Sequence, residues 1–401
     1  MKKSIGIQSA CVREINENRT TKPHILPLYA TSSFELDDID QGMRIFKGQE
    51  TGHVYGRYGN PTMDTVAKKI AQLESHQLPG IEAGAILFSS GMSAILTLIL
   101  GLLKSGDKIL TQANLYGGTT EQFLKIMQPN GIIPVFVDLS DVEQVERALS
   151  ADGNIKLVYA ESPANPTMAC IDLDRVASLA KKYNAYSAVD NTFMTPYLQQ
   201  PFAFGIDFIV HSTTKYLNGH GNSIAGALVA KDADLLKEKI WPVMKLAGTN
   251  GNPWDAWLTN NGLKTLGLRM DRHSANAMEL ALHLDSHARI ARVNYPGLSN
   301  HPSHQLAKRQ MKAFGGMLSF EINGDLQAAV NFMRKLRFCI LAPTLGDVDT
   351  LILHPATMSH INIDPKVRHQ QGISDNLIRV SVGIEDIEDI IQDIDSSLSG
   401  A

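Results

Sequence analysis

Lys215 stands directly behind Ser212, Thr213 and Thr214, and those hydroxyls in turn follow the apolar triplet Phe208-Ile209-Val210. A short apolar run bounded by polar residues is the pattern of a strand buried on both faces. A lysine at the end of such a strand is suited to forming a Schiff base beside a bound phosphate. The hydroxyls satisfy phosphate oxygens, and partial desolvation lowers the ammonium pKa and frees a nucleophilic amine. Gly219 and Gly221 come next, and Ile224–Val229 reads as another strand. The same short pattern also fits a lysine in an ordinary polar turn, so the rest of the chain has to choose.

Other residues offer compatible chemistry. Ser90-Gly91-Met92 sits where a strand gives way to a helix, and free backbone N–H groups at a helix start stabilise a phosphate. Asp190 ends the run Ala185–Asp190, where an acid can hold a pyridinium nitrogen protonated or simply cap the next turn. Tyr116 offers a ring to stack on a flat ligand, or ordinary packing. Arg379 interrupts the apolar run Leu377–Val382, and a buried guanidinium wants a carboxylate partner, either structural or on a substrate. The glycine fingerprints of dinucleotide and nucleoside-triphosphate sites are missing from the sequence. His283 and His287 share a helix face but lack a third ligand, and His301-Pro302-Ser303-His304 reads as a loop, so no metal site is expected.

The elements that must carry these groups alternate. Strands are predicted at Ala85–Phe88, Lys108–Thr111, Ile132–Val137, Leu157–Glu161, Ala185–Asp190 and Phe208–Val210. Helical patterns lie between them at Met92–Leu103, Thr120–Met127, Val142–Leu149 and Leu173–Tyr183. Such βαβ units imply an α/β fold with a mainly parallel sheet flanked by helices, and the site then lies outside the carboxyl ends of the strands. The polar clusters collect at those ends, at Ser89–Gly91, Asn114–Tyr116, Glu161–Asn165, Asp190-Asn191 and Ser212–Lys215.

Residues 1–62 read as an irregular arm with little core of its own, expected to contact a neighbouring subunit. A helix is predicted from Pro61 to about Ser75. Residues 63–265 form the expected α/β domain and 266–401 a smaller α+β domain. The latter has a helix at Asp271–Ala288, strands at Gly316–Ile322 and Leu377–Val382, and a closing helix at Asp386–Leu398.

With 401 residues, 44% hydrophobic, 19% charged and a net charge of −4, the chain has ample core and no basic excess for nucleic acid or anionic membrane. The 3 cysteines are far apart, which fits a reducing cytoplasm, and no apolar run follows Met1-Lys2-Lys3. The uncharged stretch Ala83–Leu103 is long enough to cross a bilayer, but Ser89-Ser90-Gly91 splits it into a strand and a helix.

Several long motifs stand together and in order: Tyr55-Gly56-Arg57 with Asn60-Pro61-Thr62, Glu161–Pro166, Val189–Thr192, Ser212–Gly221 and Arg379–Glu385. Over almost its whole length the chain resembles the Cys/Met-metabolism family of pyridoxal-phosphate enzymes. The resemblance implies the fold-type-I, aspartate-aminotransferase-like architecture, pyridoxal 5'-phosphate as cofactor, and a tetramer built as a dimer of dimers with shared sites. By motif, Lys215 is the Schiff-base lysine, and Ser212, Thr214, Gly91 and Met92 form the phosphate cradle. Tyr55 and Arg57 reach that phosphate from the neighbouring subunit. Tyr116 stacks on the ring and assists proton transfer, Asp190 pairs with the pyridinium, and Asn165 meets the phenolic oxygen. Thr344, where serine is common, and Arg379 take the substrate carboxylate.

The implied reaction is γ-elimination or γ-replacement on a small amino acid. Family members that act on methionine typically carry cysteine two residues after the stacking tyrosine, where this chain has Gly118. Members that handle cystathionine typically carry glutamate before the Ser-Leu-Gly triplet, where this chain has Pro343. A proline has no charge for a distal ammonium. The expected order is therefore elimination from methionine to 2-oxobutanoate, ammonia and methanethiol, then cystathionine cleavage, then replacement by a synthase. A catalytically silent scaffold is the reading from another class, and retention of Lys215, Asp190 and Arg379 together argues against it.

Overall fold

The computed structural model describes residues 5–15, 23–361 and 364–399. Seven strands form the main sheet: β1 (Gly84–Phe88), β2 (Lys108–Thr111), β3 (Ile133–Phe136), β4 (Ile155–Glu161), β5 (Tyr186–Asp190), β6 (Phe208–His211) and β7 (Gly226–Ala230). Their spatial order is β1-β7-β6-β5-β4-β2-β3. From β3 to β6 every pairing is parallel, and β7 alone runs antiparallel to both its neighbours. Strands β6 and β7 are buried throughout, as expected for a sheet covered on both faces by crossover helices. One face packs against Val66, Ile70 and Leu73 of the helix Pro61–Glu74, the other against Ala94, Ile95, Leu98 and Ile99 of the helix Gly91–Leu102.

Both helices begin where local chemistry dictates. Asn60 accepts from the Thr62 N–H at 2.9 Å and Pro61 occupies the first helical position, where its missing N–H costs nothing. Ser90 and Ser93 form a reciprocal capping box. The uncharged stretch that is long enough to span a bilayer is thus a strand, a cap and a helix. Among the described residues no helix is long and apolar enough to cross a membrane.

A second sheet follows, of β8 (Ile290–Asn294), β9 (Met317–Ile322), β10 (Ile340–Leu341), β11 (Leu351–Leu353) and β12 (Leu377–Ser381), in the order β10-β11-β12-β9-β8. Its core is closed by the helix Ile387–Leu398, which buries Ile387, Ile390, Ile394 and Leu398 against Leu318, Phe320 and Val380. Ile391 lies at the rim of that contact rather than within it.

Some expectations need correction. The arm is not wholly irregular: Ile7–Val12 and Ile39–Phe46 are helices, the second capped by Asp38, which accepts from the Gln41 N–H at 2.6 Å. Part of it packs on its own chain, since Cys11 and Leu26 are buried in the chain's main core. The exposed remainder includes Ile39, Met43 and Phe46. Helices Trp241–Ala247 and Pro253–Lys264 escaped the sequence reading. The latter is short of apolar periodicity and carries Gly262 because the chain passes close by: a Cβ there would meet the Asn218 carbonyl oxygen at 2.1 Å. His304 opens a helix reaching Gln310 rather than lying in a loop. The predicted helix Thr120–Met127 starts earlier, at Gly117, and finishes in a wider π-type turn over Phe123–Met127. The helix expected at Asp271–Ala288 spans Leu266–Asp285.

Candidate active site

The carboxyl ends of β1, β4, β5 and β6 border one cavity of about 490 Å³, closed on its far side by the loop around Thr344 and by Arg379 of β12. Lys215 lies in the turn after β6, which is held by Lys215 N–H to Ser212 O at 3.1 Å and Gly219 N–H to Lys215 O at 2.8 Å. Arg269, buried, braces that turn by donating to Tyr216 O at 2.7 Å and Gly262 O at 2.8 Å. The Lys215 ammonium donates to the Thr344 hydroxyl at 2.7 Å. Burial, with the Arg379 charge adding to it and Asp347 opposing, lowers the Lys215 pKa to about 8.

Gly91 and Met92 start the helix behind β1, and N–H groups in a first turn have no intrahelical partner. The approach to the turn after β6 is close. A Cβ on Gly91 would lie 2.9 Å from Ser212 Cβ, so only glycine fits. Ser212 and Thr214 both border the cavity. Thr214 differs from Ser212 in that its hydroxyl donates to Ala225 O at 3.1 Å, fixing the return into β7.

At the inner end Asp190 accepts from the Thr192 N–H at 2.9 Å. Glu161, next to it across the β4–β5 pair, accepts from the N–H groups of Tyr116 at 2.7 Å and Asn165 at 3.1 Å. Burial raises the pKa of both carboxyls, and the Asp190 charge raises that of Glu161 further. Tyr116 is half exposed at the mouth. A Cβ on Gly118 would sit 2.6 Å from Tyr116 Cε1, so the ring occupies space that any other residue at 118 would claim.

Arg379 is 4% exposed, donates to Thr344 O at 2.8 Å, and leaves its Nε without a partner. Among the described residues no carboxylate pairs with it. A buried guanidinium lacking a counter-ion is costly by several kcal/mol, and here burial pulls its pKa down to about 10. The Asn165 side-chain oxygen is likewise buried and unpartnered.

Tyr55 and Arg57 are not brought to this cavity. Arg57 donates to Lys245 O and lies over the Tyr58 ring at 5.1 Å, away from the Lys215 turn. His283 bonds Asp395 at 2.8 Å with His287 at 3.9 Å from the same oxygen, and no metal-binding cluster occurs among the described residues. The sequence reading missed Asp347, which borders the cavity. It also missed the enclosed His211–Glu74 pair, 2.5 Å apart beneath Ser212. Asp347 follows the loop carrying Thr344 by only a few residues, which was the available signal. Nothing in the sequence joins Glu74 to His211.

The sequence profile of the family described as Cys/Met metabolism PLP-dependent enzyme matches residues 8–399. The chain belongs to that family. As a Cys/Met-metabolism enzyme it is 41% identical over 374 residues to the L-methionine gamma-lyase of Fusobacterium nucleatum subsp. polymorphum, covering 93% of each chain. It is 42% identical over 384 residues to the cystathionine beta-lyase of Lactococcus lactis subsp. cremoris, covering 96% of each. The crystal structure of cystathionine gamma synthase from Xanthomonas oryzae pv. oryzae, in complex with aminoacrylate and cysteine, superposes with a TM-score of 0.91 at 38% identity. That match covers 99% of this chain and 98% of the other. The architecture is the fold type I of pyridoxal-phosphate enzymes, and the family's cofactor is pyridoxal 5'-phosphate. The residues present fit such a group: a cradle where a Cβ on Gly91 would collide, an amine of lowered pKa, an enclosed acid and an orphaned amide oxygen.

Proposed function

We propose that this chain is a carbon–sulfur lyase that performs γ-elimination on methionine-type substrates, releasing a 2-oxo acid, ammonia and a thiol. The observation that carries this is the buried, carboxylate-free Arg379 guanidinium bordering the same cavity as the Lys215 amine. Arg379 binds the substrate carboxylate in a charge-assisted pair. That contact sets the α-carbon within reach of Lys215.

The Gly91 and Met92 N–H groups and the Ser212 hydroxyl would hold the cofactor phosphate, while Asp190 would hold a proton at its ring nitrogen. Asn165 can turn its amide NH₂ toward the phenolic oxygen, since its amide oxygen has no protein partner. When bound, pyridoxal 5'-phosphate supplies an electron sink that acidifies the C–H bonds at the substrate's α and β carbons. Lys215, its pKa lowered to about 8 by burial, takes the α-proton and serves the β-position. Thr344 positions that amine through its hydroxyl. Tyr116, half exposed at the mouth, delivers a proton to the γ leaving group.

Pro343 borders the cavity without charge, which supports a neutral leaving group, and relatives that are methionine γ-lyases support the same order. Close superposition on a cystathionine γ-synthase favours γ-replacement as the second reading. Tyr55 and Arg57 act on the cavity of a neighbouring subunit in this reading, since they lie outside their own. The exposed apolar face of Ile39, Met43 and Phe46 supports a homo-oligomer. The test is to feed methionine and cystathionine separately and measure 2-oxobutanoate and released thiol. A specificity constant for cystathionine more than about tenfold above that for methionine overturns the order. A requirement for an O-acylhomoserine and a thiol moves the chain to the synthase class.

A further inference from the structure

The acids bordering the cavity are Glu161, Asp190 and Asp347. Glu161 is occupied by the N–H groups of Tyr116 and Asn165, and Asp190 lies at the inner end beside Thr192. Asp347 is left over. Its Oδ1 is enclosed yet has no hydrogen-bond partner among the described residues. Its other oxygen sits where Gly221 makes room, because a Cβ on Gly221 would lie 2.3 Å from it. A carboxylate oxygen kept from water without a donor is costly, so the site is complete only when something positive or a proton reaches it. The basic groups near it are Lys215 and His220. Of these, Lys215 is directed to Thr344 and the His220 ring to Asn218 O at 2.6 Å.

The position matters as much as the charge. Asp347 follows Thr344 on one loop, and that loop also accepts from Arg379. A ligand held by its carboxylate at Arg379 therefore shares the cavity with a second, oppositely charged anchor. Pro343 and Asp347 both border the cavity, and of the two only Asp347 offers a charge.

We propose that Asp347 is a specificity residue that receives a cationic group on the leaving portion of the substrate, so that the cavity takes an amino-acid thioether with an ammonium at its far end as well as methionine-type chains. The choice of a thioether rests on the lyase reading; the pairing of Asp347 with a distal ammonium does not. Burial, with Asp349 adding to it, raises the Asp347 pKa.

The test uses the holoenzyme and its Asp347→Asn and Asp347→Glu variants. L-Ornithine and L-norleucine are nearly isosteric, lack a γ leaving group and differ in a terminal ammonium against a methyl. Their dissociation constants are read from the change in cofactor absorbance. In Asp347→Asn the preference for ornithine over norleucine falls roughly tenfold or more, and the ratio of cystathionine to methionine specificity constants falls with it. Asp347→Glu, which keeps the charge, retains most of both preferences. Ratios that stay within about twofold in Asp347→Asn overturn the proposal, as does equal weakening of both ligands, which would place the effect on Lys215. If neither methionine nor cystathionine is cleaved, the lyase reading falls, and the ornithine comparison still decides the role of Asp347.

Discussion

The Lys215 ammonium and the Thr344 hydroxyl stand 2.7 Å apart although they come from loops of different sheets, and Thr344 also gives its carbonyl to Arg379. One residue thus touches both the Lys215 amine and the Arg379 guanidinium, the groups to which the proposed function gives the proton transfers and the substrate carboxylate. Thr344→Val removes the hydroxyl and keeps the shape. A net hydrogen bond of about 1–1.5 kcal/mol implies a loss of roughly tenfold in kcat, with KM changing less. Thr344→Ser recovers most of it. A valine variant with unchanged kcat would show that the contact positions nothing.

Lys215→Ala abolishes borohydride-reducible attachment of the cofactor and lowers turnover by orders of magnitude. The fold and some phosphate-held cofactor remain. Reducible attachment at another lysine in the variant, located by peptide mapping, would show that Lys215 is not the nucleophile.

The lowered pKa of Lys215 has a sign that can be checked on apoprotein. The neutral amine is the nucleophile, so its reaction with an amine-directed reagent rises with pH and levels above about pH 8. Ordinary surface lysines continue to gain reactivity to about pH 10. Because Asp347 opposes the shift, Asp347→Asn moves the midpoint of Lys215 labelling lower still. A midpoint at or above that of surface lysines contradicts the environment described.

Gly118 leaves room for the Tyr116 ring, whose Cε1 lies 2.6 Å from where a Cβ would stand. Gly118→Ala therefore displaces the ring rather than merely filling space. The expected result is a drop of roughly tenfold in kcat for elimination, with protein stability changed by about 1 kcal/mol or less. Full activity in Gly118→Ala would mean that the ring position is not set by this contact.

Arg57 lies outside its own chain's cavity, held to Lys245 O. Subunits carrying Arg57→Ala and subunits carrying Lys215→Ala are each expected to be inactive. Mixed under conditions of demonstrated exchange, they regenerate some sites with both native residues and regain part of the activity. No recovery would count against a site shared between subunits.

The main sheet was legible because β2, β4, β5 and β6 are short apolar runs each ending in a polar cluster, and parallel pairing forces those ends to one side. Asn165, Asp190, Ser212 and Lys215 follow those ends and border one cavity, so that shared location was legible for the same reason. Helix Pro253–Lys264 was not, because its stripe is broken by Asn260, Asn261 and Gly262. Those residues answer to neighbours, with Asn260 accepting from the buried Lys69 at 3.2 Å and Gly262 to a passing carbonyl. Strand β10, of 2 residues, is too short to carry a period. Asp347 illustrates a different limit. Its position after Thr344 is visible, but that its carboxylate borders the cavity depends on Gly221, far away in sequence.

The single antiparallel strand β7 has a consequence for the order in which the protein can be made. Strand β1, with the helix start at Gly91, touches the rest of the main sheet only through β7. A nascent chain that has emerged as far as β6 can pair β2 to β6, yet β1 has no ladder to join until Gly226–Ala230 leaves the ribosome. Gly226 then passes so close to the Ser90 carbonyl that a Cβ would lie 2.2 Å from it. The two sides of the cavity at Gly91 and Ser212, written far apart in the chain, are closed together by one late strand, like a door hung after both its posts are standing.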